Sequence, residues 1–305
     1  TYTTLSVNAA AGANTITVAN NVLTNAVLTA PLAPGDLILI IQMQGAYMDI
    51  DNTPTVGFGG NYTTPFDHTY DGLWQNFINE WGQVLNPNNA GKFEQAEVRA
   101  VGGTTSITLQ CNLVNSYAIA GKVQIVRIPR FNNLTVNTNT SIVPSAWNGT
   151  TGGIVAVEVN GTLTINGTGK ISASALGFRG GLVQTSTSAE SGVTAVSAAN
   201  TNPTSNGSSF LGSNLINQGA RKGEGIGGYA TEYALVSSEF GRGAPANGGG
   251  GGGIKNAGGG GGANVGAGTY TGKGVPNAAY AANWALESGM GAASSGGGRG
   301  GYSYS

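Results

Sequence analysis

The chain has 305 residues, of which only 9% are charged, with 13 basic and 14 acidic side chains and a formal net charge of −1. An ordinary soluble protein carries roughly 25% charged residues, and nucleic-acid binding or a polybasic membrane surface requires a basic footprint that this balance excludes. A hydrophobic share of 40% separates the chain from disordered sequences of low hydrophobicity and high net charge.

Residues 1 to about 130 read as strands. "TTLSVNAAAGANTITVAN" alternates apolar and polar residues around a Gly-Ala-Asn turn, the period-2 signal of a half-buried strand. "PGDLILIIQMQG" is a turn followed by a run expected to be buried on both faces, and at strand length it is far short of the ~18 to 20 apolar residues of a membrane span. "FEQAEVRAVGGTTSITLQCNLV" predicts a hairpin across Gly102-Gly103. The single cysteine, Cys111, lies in this run; it rules out an internal disulfide framework and is expected to be a small buried hydrophobe. "GKVQIVRIP" predicts one more strand, stopped at Pro129.

An excursion over roughly residues 46–91 interrupts these strands. "DGLWQNFINEWGQVL", Asp71 to Leu85, suits a short helix, because Leu73, Trp74, Phe77 and Trp81 fall at three- and four-residue spacings on one face. Trp74, Trp81, Tyr47, Tyr62 and Tyr70 are candidates for a sugar-stacking platform, with capping of a β-core as the plainer alternative. Asp49, Asp51, Asp67 and Asp71 supply oxygen ligands of the kind calcium takes, although their spacing is not that of an EF-hand; solvated loop acids, or helix capping by Asp71, are the alternative. The one histidine, His68, stands beside Asp67. It leaves little room for nucleophilic triads and reads as a loop histidine bonded to a neighbour.

The next stretch repeats itself. Leu134, Thr135, Val136 and Asn137 recur as Leu163, Thr164, Ile165 and Asn166, and Ile142 recurs as Ile171 at the same offset. A fixed period suggests stacked rungs of a β-helix or related solenoid; one hairpin echoing another is the alternative. β-Helices host polysaccharide-active enzymes, but the only carboxylate on these rungs is Glu158, and paired carboxylates are what glycoside hydrolysis needs. Asn148, Asn160 and Asn166 head Asn-Gly-Thr sequons, read here as ordinary strand-turn residues.

Residues 182–215 are polar and weakly patterned, as in an extended surface loop. Glycine then dominates, with runs at Gly248–Gly253 and Gly258–Gly262. A linker would lack packing residues, yet this tract is punctuated by Ile226, Tyr229, Tyr233, Leu235, Phe240, Ile254 and Tyr270. Closely packed extended chain of polyglycine-II type, in which glycine occupies the crowded positions, is the favoured reading; a disordered linker and loops on a β-helix are the others. "GEGIGG" lacks the dinucleotide fingerprint and "GKG" lacks a Walker hydroxyl, so phosphate binding is set aside. The start at Thr1 and the ending "GGGRGGYSYS" suggest a processed first part of a longer protein.

"DLILIIQMQGAYMD", "AGKFEQAEVRAVGG", "VQIVRIPRFNNLTVN", "AWNGTTGGIVAVEVNGTLTINGTGKISASALGFRGG", "GEGIGG" and "GRGAPANGGGGGG" occur in that order. Together they resemble the N-terminal region of very large secreted surface adhesins of Bacteroidetes, including SprB-type gliding-motility adhesins. The resemblance spans about residues 1–300 and is weakest over 46–91 and 182–215. It implies an exported, outer-membrane-associated cell-surface protein, passed through the type 9 secretion translocon and joined to a longer parent chain. It offers no catalytic motif.

The expected fold is all-β: an N-terminal β-domain over 1–130 with the 46–91 insertion, a short β-solenoid over 131–181, and a packed glycine-rich extended module over 182–305. The expected function is a non-catalytic structural or adhesive head of a surface adhesin, with no resident cofactor beyond the calcium candidate. Its expected partners are surface polysaccharide or an abiotic surface. A carbohydrate-binding module or β-helix polysaccharide-active enzyme, and a docking domain for the secretion machinery, are the alternatives.

Overall fold

The computed structural model describes residues 1–49, 83–86, 88–182, 221 and 223–229, with backbone alone at 47–49 and 83–86. The described chain is all-β, its one helical element being a 3₁₀ turn at Ile119–Gly121. In chain order the strands are β1 (Tyr2–Thr4), β2 (Thr15–Thr17), β3 (Leu37–Gln42), β4 (Tyr47–Asp49), β5 (Gln83–Asn86), β6 (Phe93–Gly102) and β7 (Ser106–Leu109). They continue as β8 (Val123–Ile128), β9 (Arg130–Phe131), β10 (Leu134–Val136), β11 (Ser141–Ile142), β12 (Glu158–Val159), β13 (Leu163–Ile165) and β14 (Lys170–Ile171). The chain divides into two compact units, one of Thr1–Gln44 with Asn89–Gly177, the other of Gly45–Asn88 with Phe178–Ser305.

In the first unit, six strands form one antiparallel sheet in the order β1-β8-β3-β6-β7-β2. The expected hairpin across Gly102-Gly103 is the β6–β7 pair. The first two strands do not form a hairpin ladder: they are the two edges of the sheet, drawn together where Leu5 bridges Val18 and Ser6 N donates to Thr17 O at 2.8 Å. Curling in this way covers edges that would otherwise offer unpaired backbone to other chains.

Period-2 alternation decides what faces inward. Ile16, Val18, Ile38, Ile40, Ile107, Leu109, Val123 and Ile125 fill the concave side, together with Leu5, Val98 and Tyr117. Each such aliphatic side chain, fully buried, contributes roughly 1.5–3 kcal/mol. β8 is buried along its whole length, and on its convex side Val126 and Ile128 pack with Leu39, Tyr2, Ile154 and Ala156. Extended chain around Gly152–Ala156 thus covers one outer face of the sheet.

Polar groups sit toward the two ends of this core. Arg127 donates through Nη2 to Asp36 at 2.8 Å and through Nη1 to Ala30 O at 2.6 Å. Glu94, opposite Ile40 in the register, accepts from Tyr117 Oη at 2.9 Å and from Val114 N and Asn115 N at 2.9 and 3.0 Å. Burial, and then the adjoining Glu94 carboxylate, push the Tyr117 phenol well above the ordinary tyrosine range. Cys111 departs from expectation and is exposed. β7 ends at Leu109 and the chain bends, so Leu113, 3% exposed, takes the next inward place.

After Pro129 the pairing changes from antiparallel to parallel. β9 pairs with β12, β10 with β13 and β11 with β14, all in parallel. Leu134 lies against Leu163, Thr135 against Thr164, Val136 against Ile165, and Ile142 against Ile171. The residues that echo each other in the sequence are therefore physical neighbours, and a hairpin, which pairs antiparallel, does not account for them.

The second unit is described in part. β4 and β5 pair antiparallel with a bulge between Tyr47 and Met48. The helix expected over Asp71–Leu85 is contradicted at its end, where residues 83–85 are strand. Helix propensity is a weak prior, and Val84 finds an antiparallel partner in Met48. The rest of that segment lies outside the described residues.

Candidate functional site

The surface most distinctive of this chain is the pair of parallel-stacked coils from Arg130 to Ile171. Its Asn, Thr and Gly content has a local cause. The Asn133 side-chain oxygen accepts from Thr162 N at 2.8 Å across a separation of 29 residues. At the same separation the Thr168 hydroxyl donates to Asn139 Oδ1 at 2.6 Å, and Asn139 N donates to the Thr168 hydroxyl at 3.0 Å. Backbone bonds run beside them, from Leu134 N to Thr162 O and from Lys170 N to Thr140 O. Short polar side chains here tie turn to turn, where an isolated turn would use them on itself. A Cβ at Gly161 would lie 2.6 Å from Asn133 Oδ1, and one at Gly169 would lie 2.7 Å from Asn137 O. Close coil approach is what glycine permits at these two places.

The apolar side of the coils is asymmetric. Val136 is 3% exposed, whereas its partner Ile165 is 49% exposed and Leu163 44%. Among the described residues no strand pairs with the far edge of β13. Glu158, the single carboxylate of the coils, is bonded to Arg130 Nε of the neighbouring coil, and Arg130 also stands 3.8 Å from Glu97. This is an ion-pair arrangement rather than two facing carboxylates.

A polar latch holds the covering chain to the sheet. Gln124 is fully buried, donates through Nε2 to Gly152 O at 3.1 Å and accepts from Gly152 N at 2.9 Å. The side-chain amide thereby pairs with one residue as a neighbouring strand would. Gly152 has φ +106°, and a Cβ there would sit 2.3 Å from Ala146 O. Tyr2 adds a bond from its hydroxyl to Ile154 O at 2.7 Å, and burial pushes its phenol pKa upward. Asn148 organises the turn before the latch, its side-chain oxygen accepting from Thr150 N and Thr151 N at 2.9 Å each. Sequence reasoning passed over Gln124; a lone amide inside the apolar run "VQIVRI" was the signal available.

In the second unit, two short motifs meet. The strings "GFRGG" and "GEGIGG" contribute Arg179 and Glu224, joined Nε to Oε2 at 2.8 Å, with Glu224 1% exposed. Glu224 N donates to Arg179 O at 2.7 Å and Leu182 N to Arg221 O at 2.9 Å, an antiparallel pairing of the two strings. The Arg179 guanidinium also lies 3.7 Å from the centre of the Tyr229 ring, a cation–π contact. "GEGIGG" thus carries a buried ion-pair partner.

Of the residues picked out from the sequence, Tyr47 and Asp49 lie in β4, where backbone alone is described. Trp74, Trp81, Tyr62, Tyr70, Asp51, Asp67, Asp71 and His68 lie outside the described residues, as do residues 183–215 and the glycine runs. Among the described residues no group of three or more His, Cys, Asp or Glu side chains is placed to hold a metal ion. No helix among them is long and apolar enough to cross a membrane.

No family model matches the sequence, and no curated protein matches it. Among solved structures, the tailspike protein gp49 of Pseudomonas phage LKA1 aligns at 16% identity and a TM-score of 0.24, covering 54% of this chain and 21% of that one. The Gp54 tailspike of Acinetobacter baumannii bacteriophage AP22, solved in complex with A. baumannii capsular saccharide, aligns at 15% identity and 0.23, covering 55% and 21%. The Pseudomonas phage phi297 tailspike gp61 aligns at 13% and 0.22, covering 54% and 30%. The chain thus spans well under half the length of these proteins, and the scores fall below the level at which two chains share an overall fold.

Proposed function

We propose that this chain is a non-catalytic, adhesive head or tip region of a long bacterial surface protein, built as a β-domain that leads into a short β-solenoid and a glycine-rich extended module. The observation that carries this reading is the in-register parallel pairing across 29 residues. Parallel coils can be extended indefinitely by adding further turns of the same kind, which suits a stalk. The low charge and the Asn-, Thr- and Gly-rich coil surface suit shape-based contact with polysaccharide or an abiotic surface better than ionic recognition. The engagement of Glu158 by Arg130 supports the non-catalytic reading over the β-helix enzyme.

On this proposal the protein is extracellular and outer-membrane associated, and it reaches the surface through the type 9 secretion translocon as part of a longer parent chain. Gliding motility belongs to the same proposal through the family resemblance. An antibody against this region tests it on source cells. The expected result is a band of several times the mass of this chain (30.5 kDa) that disappears when intact cells are treated with protease. A protease-protected band, or a free product near the mass of the chain, would overturn the surface-head reading.

A further inference from the structure

A groove of about 460 Å³ opens in the first unit beside the start of β1, the loop that follows β2, and Ser145. Its volume lies within the roughly 300–1,000 Å³ typical of small-molecule sites, enough for about two sugar rings. The loop forming one wall is held in shape from beneath. Asn21 is buried and donates from Nδ2 to Gly103 O at 3.2 Å and Ser106 O at 3.0 Å. Leu23 has φ +49°, an uncommon conformation for a branched residue, and its carbonyl accepts from Arg127 Nη1 at 3.4 Å. Such a wall does not need to be ordered by a ligand, which lowers the entropic cost of binding.

The chemistry of the lining is narrow. Asn20 Oδ1 accepts from Val22 N at 2.7 Å, and Asn25 Oδ1 accepts from Val27 N at 2.8 Å and Leu28 N at 2.6 Å. With both oxygens committed to the loop backbone, the Nδ2 amino groups are what these side chains have to offer. Thr24 and Ser145 add hydroxyls. No charged side chain lines the groove. Arg127, the cation behind it, is committed to Leu23 O, Ala30 O and Asp36. The Thr1 α-amino group is the remaining candidate cation, and burial, then Arg127, lowers its pKa and so disfavours its charged form; a phosphate or carboxylate would find no cationic side chain, and an apolar ligand would bury the amides and hydroxyls unpaired.

We propose that this groove binds a short neutral saccharide of one or two rings, with Asn20, Asn25, Thr24 and Ser145 meeting its hydroxyls. The proposal deepens the adhesive reading and rests on it for the source of the sugar. The test is ligand-observed NMR on the full chain with cellobiose, maltose and N,N′-diacetylchitobiose, and with digalacturonate and inorganic phosphate as anionic comparators. At least one neutral disaccharide is expected to bind saturably. Thr24→Trp, which fills the groove from an exposed position, is expected to weaken that binding by about tenfold or more. Ser145→Ala, which leaves the wall intact and serves if the tryptophan variant fails to fold, is expected to weaken it a few-fold. Binding unchanged in both variants would place the sugar elsewhere and overturn the proposal. So would binding of the anionic probes alone, or of no probe. A protease-sensitive surface band together with no saccharide binding would sink the groove and leave the adhesive head standing.

Discussion

Replacing Gln124 by Leu tests whether one side chain holds the covering chain onto the sheet. Gln124 is fully buried and makes two hydrogen bonds to Gly152, at 3.1 and 2.9 Å. Leucine has a similar volume, so the cavity contribution is small. What remains is a buried Gly152 N–H and C=O without their partner, each costing about 1–3 kcal/mol when left unmade. Gly152 cannot easily slide to find others, because Ala146 O already crowds it at 2.3 Å from a Cβ position. The expected loss is therefore about 2–5 kcal/mol, concentrated in residues 145–157. Urea unfolding followed by far-UV circular dichroism reads the global cost. Amide exchange at Gly152 reads the local one, and is expected to rise by about 1.5 to 3.5 orders of magnitude at about 1.4 kcal/mol per tenfold. A variant within 1 kcal/mol of wild type, with Gly152 exchange still slow, would refute the reasoning.

The coil stack predicts an asymmetry: Val136→Ala at 3% exposure is expected to cost about 1–3 kcal/mol, and Ile165→Ala at 49% exposure well under half as much per carbon removed; equal costs by urea titration would mean that Ile165 is covered in solution. For Tyr117, the folded pKa lies above the unfolded one because of burial and then Glu94. The protonated phenol is the form the fold favours, so its contribution is fully present below the ordinary tyrosine pKa of about 10 and declines as pH rises beyond that value. Urea midpoints between pH 8 and about 11.5 are expected to fall at the alkaline end, and Tyr117→Phe is expected to flatten that slope while lowering stability at pH 8 by about 1 kcal/mol through the lost bond to Glu94. An unchanged slope in the variant would assign the alkaline loss to other groups.

Much of the local architecture was legible in the residues. The apolar alternation of "TITV", "SITLQ" and "VQIVRI" marks β2, β7 and β8, and the Gly-Gly turn between β6 and β7 marks their hairpin. The echo of Leu134–Val136 in Leu163–Ile165 marked the partners, and the structure chose parallel pairing over the hairpin that the echo also allowed. Cys111 shows the limit of such reading: it sits in a strand-like string, yet the strand stops two residues earlier.

The sequence by itself determined the class of structure, all-β and weakly charged, and which residues echo one another at a fixed offset, because periodicity and self-similarity are properties of neighbours along the chain; that the echoing residues pair in parallel was decided by the tertiary structure. Only the tertiary structure decided which distant groups complete one another. The sheet curls so that β1 and β2, adjacent in sequence, become its opposite edges and meet again at Leu5 and Val18. Gln124 finds Gly152, Asn21 finds Ser106, and Arg179 finds Glu224. Gln124, Asn21 and Glu224 are buried, and burial makes such a partner necessary, since an unpaired polar group in a core costs more than the chain closure that satisfies it.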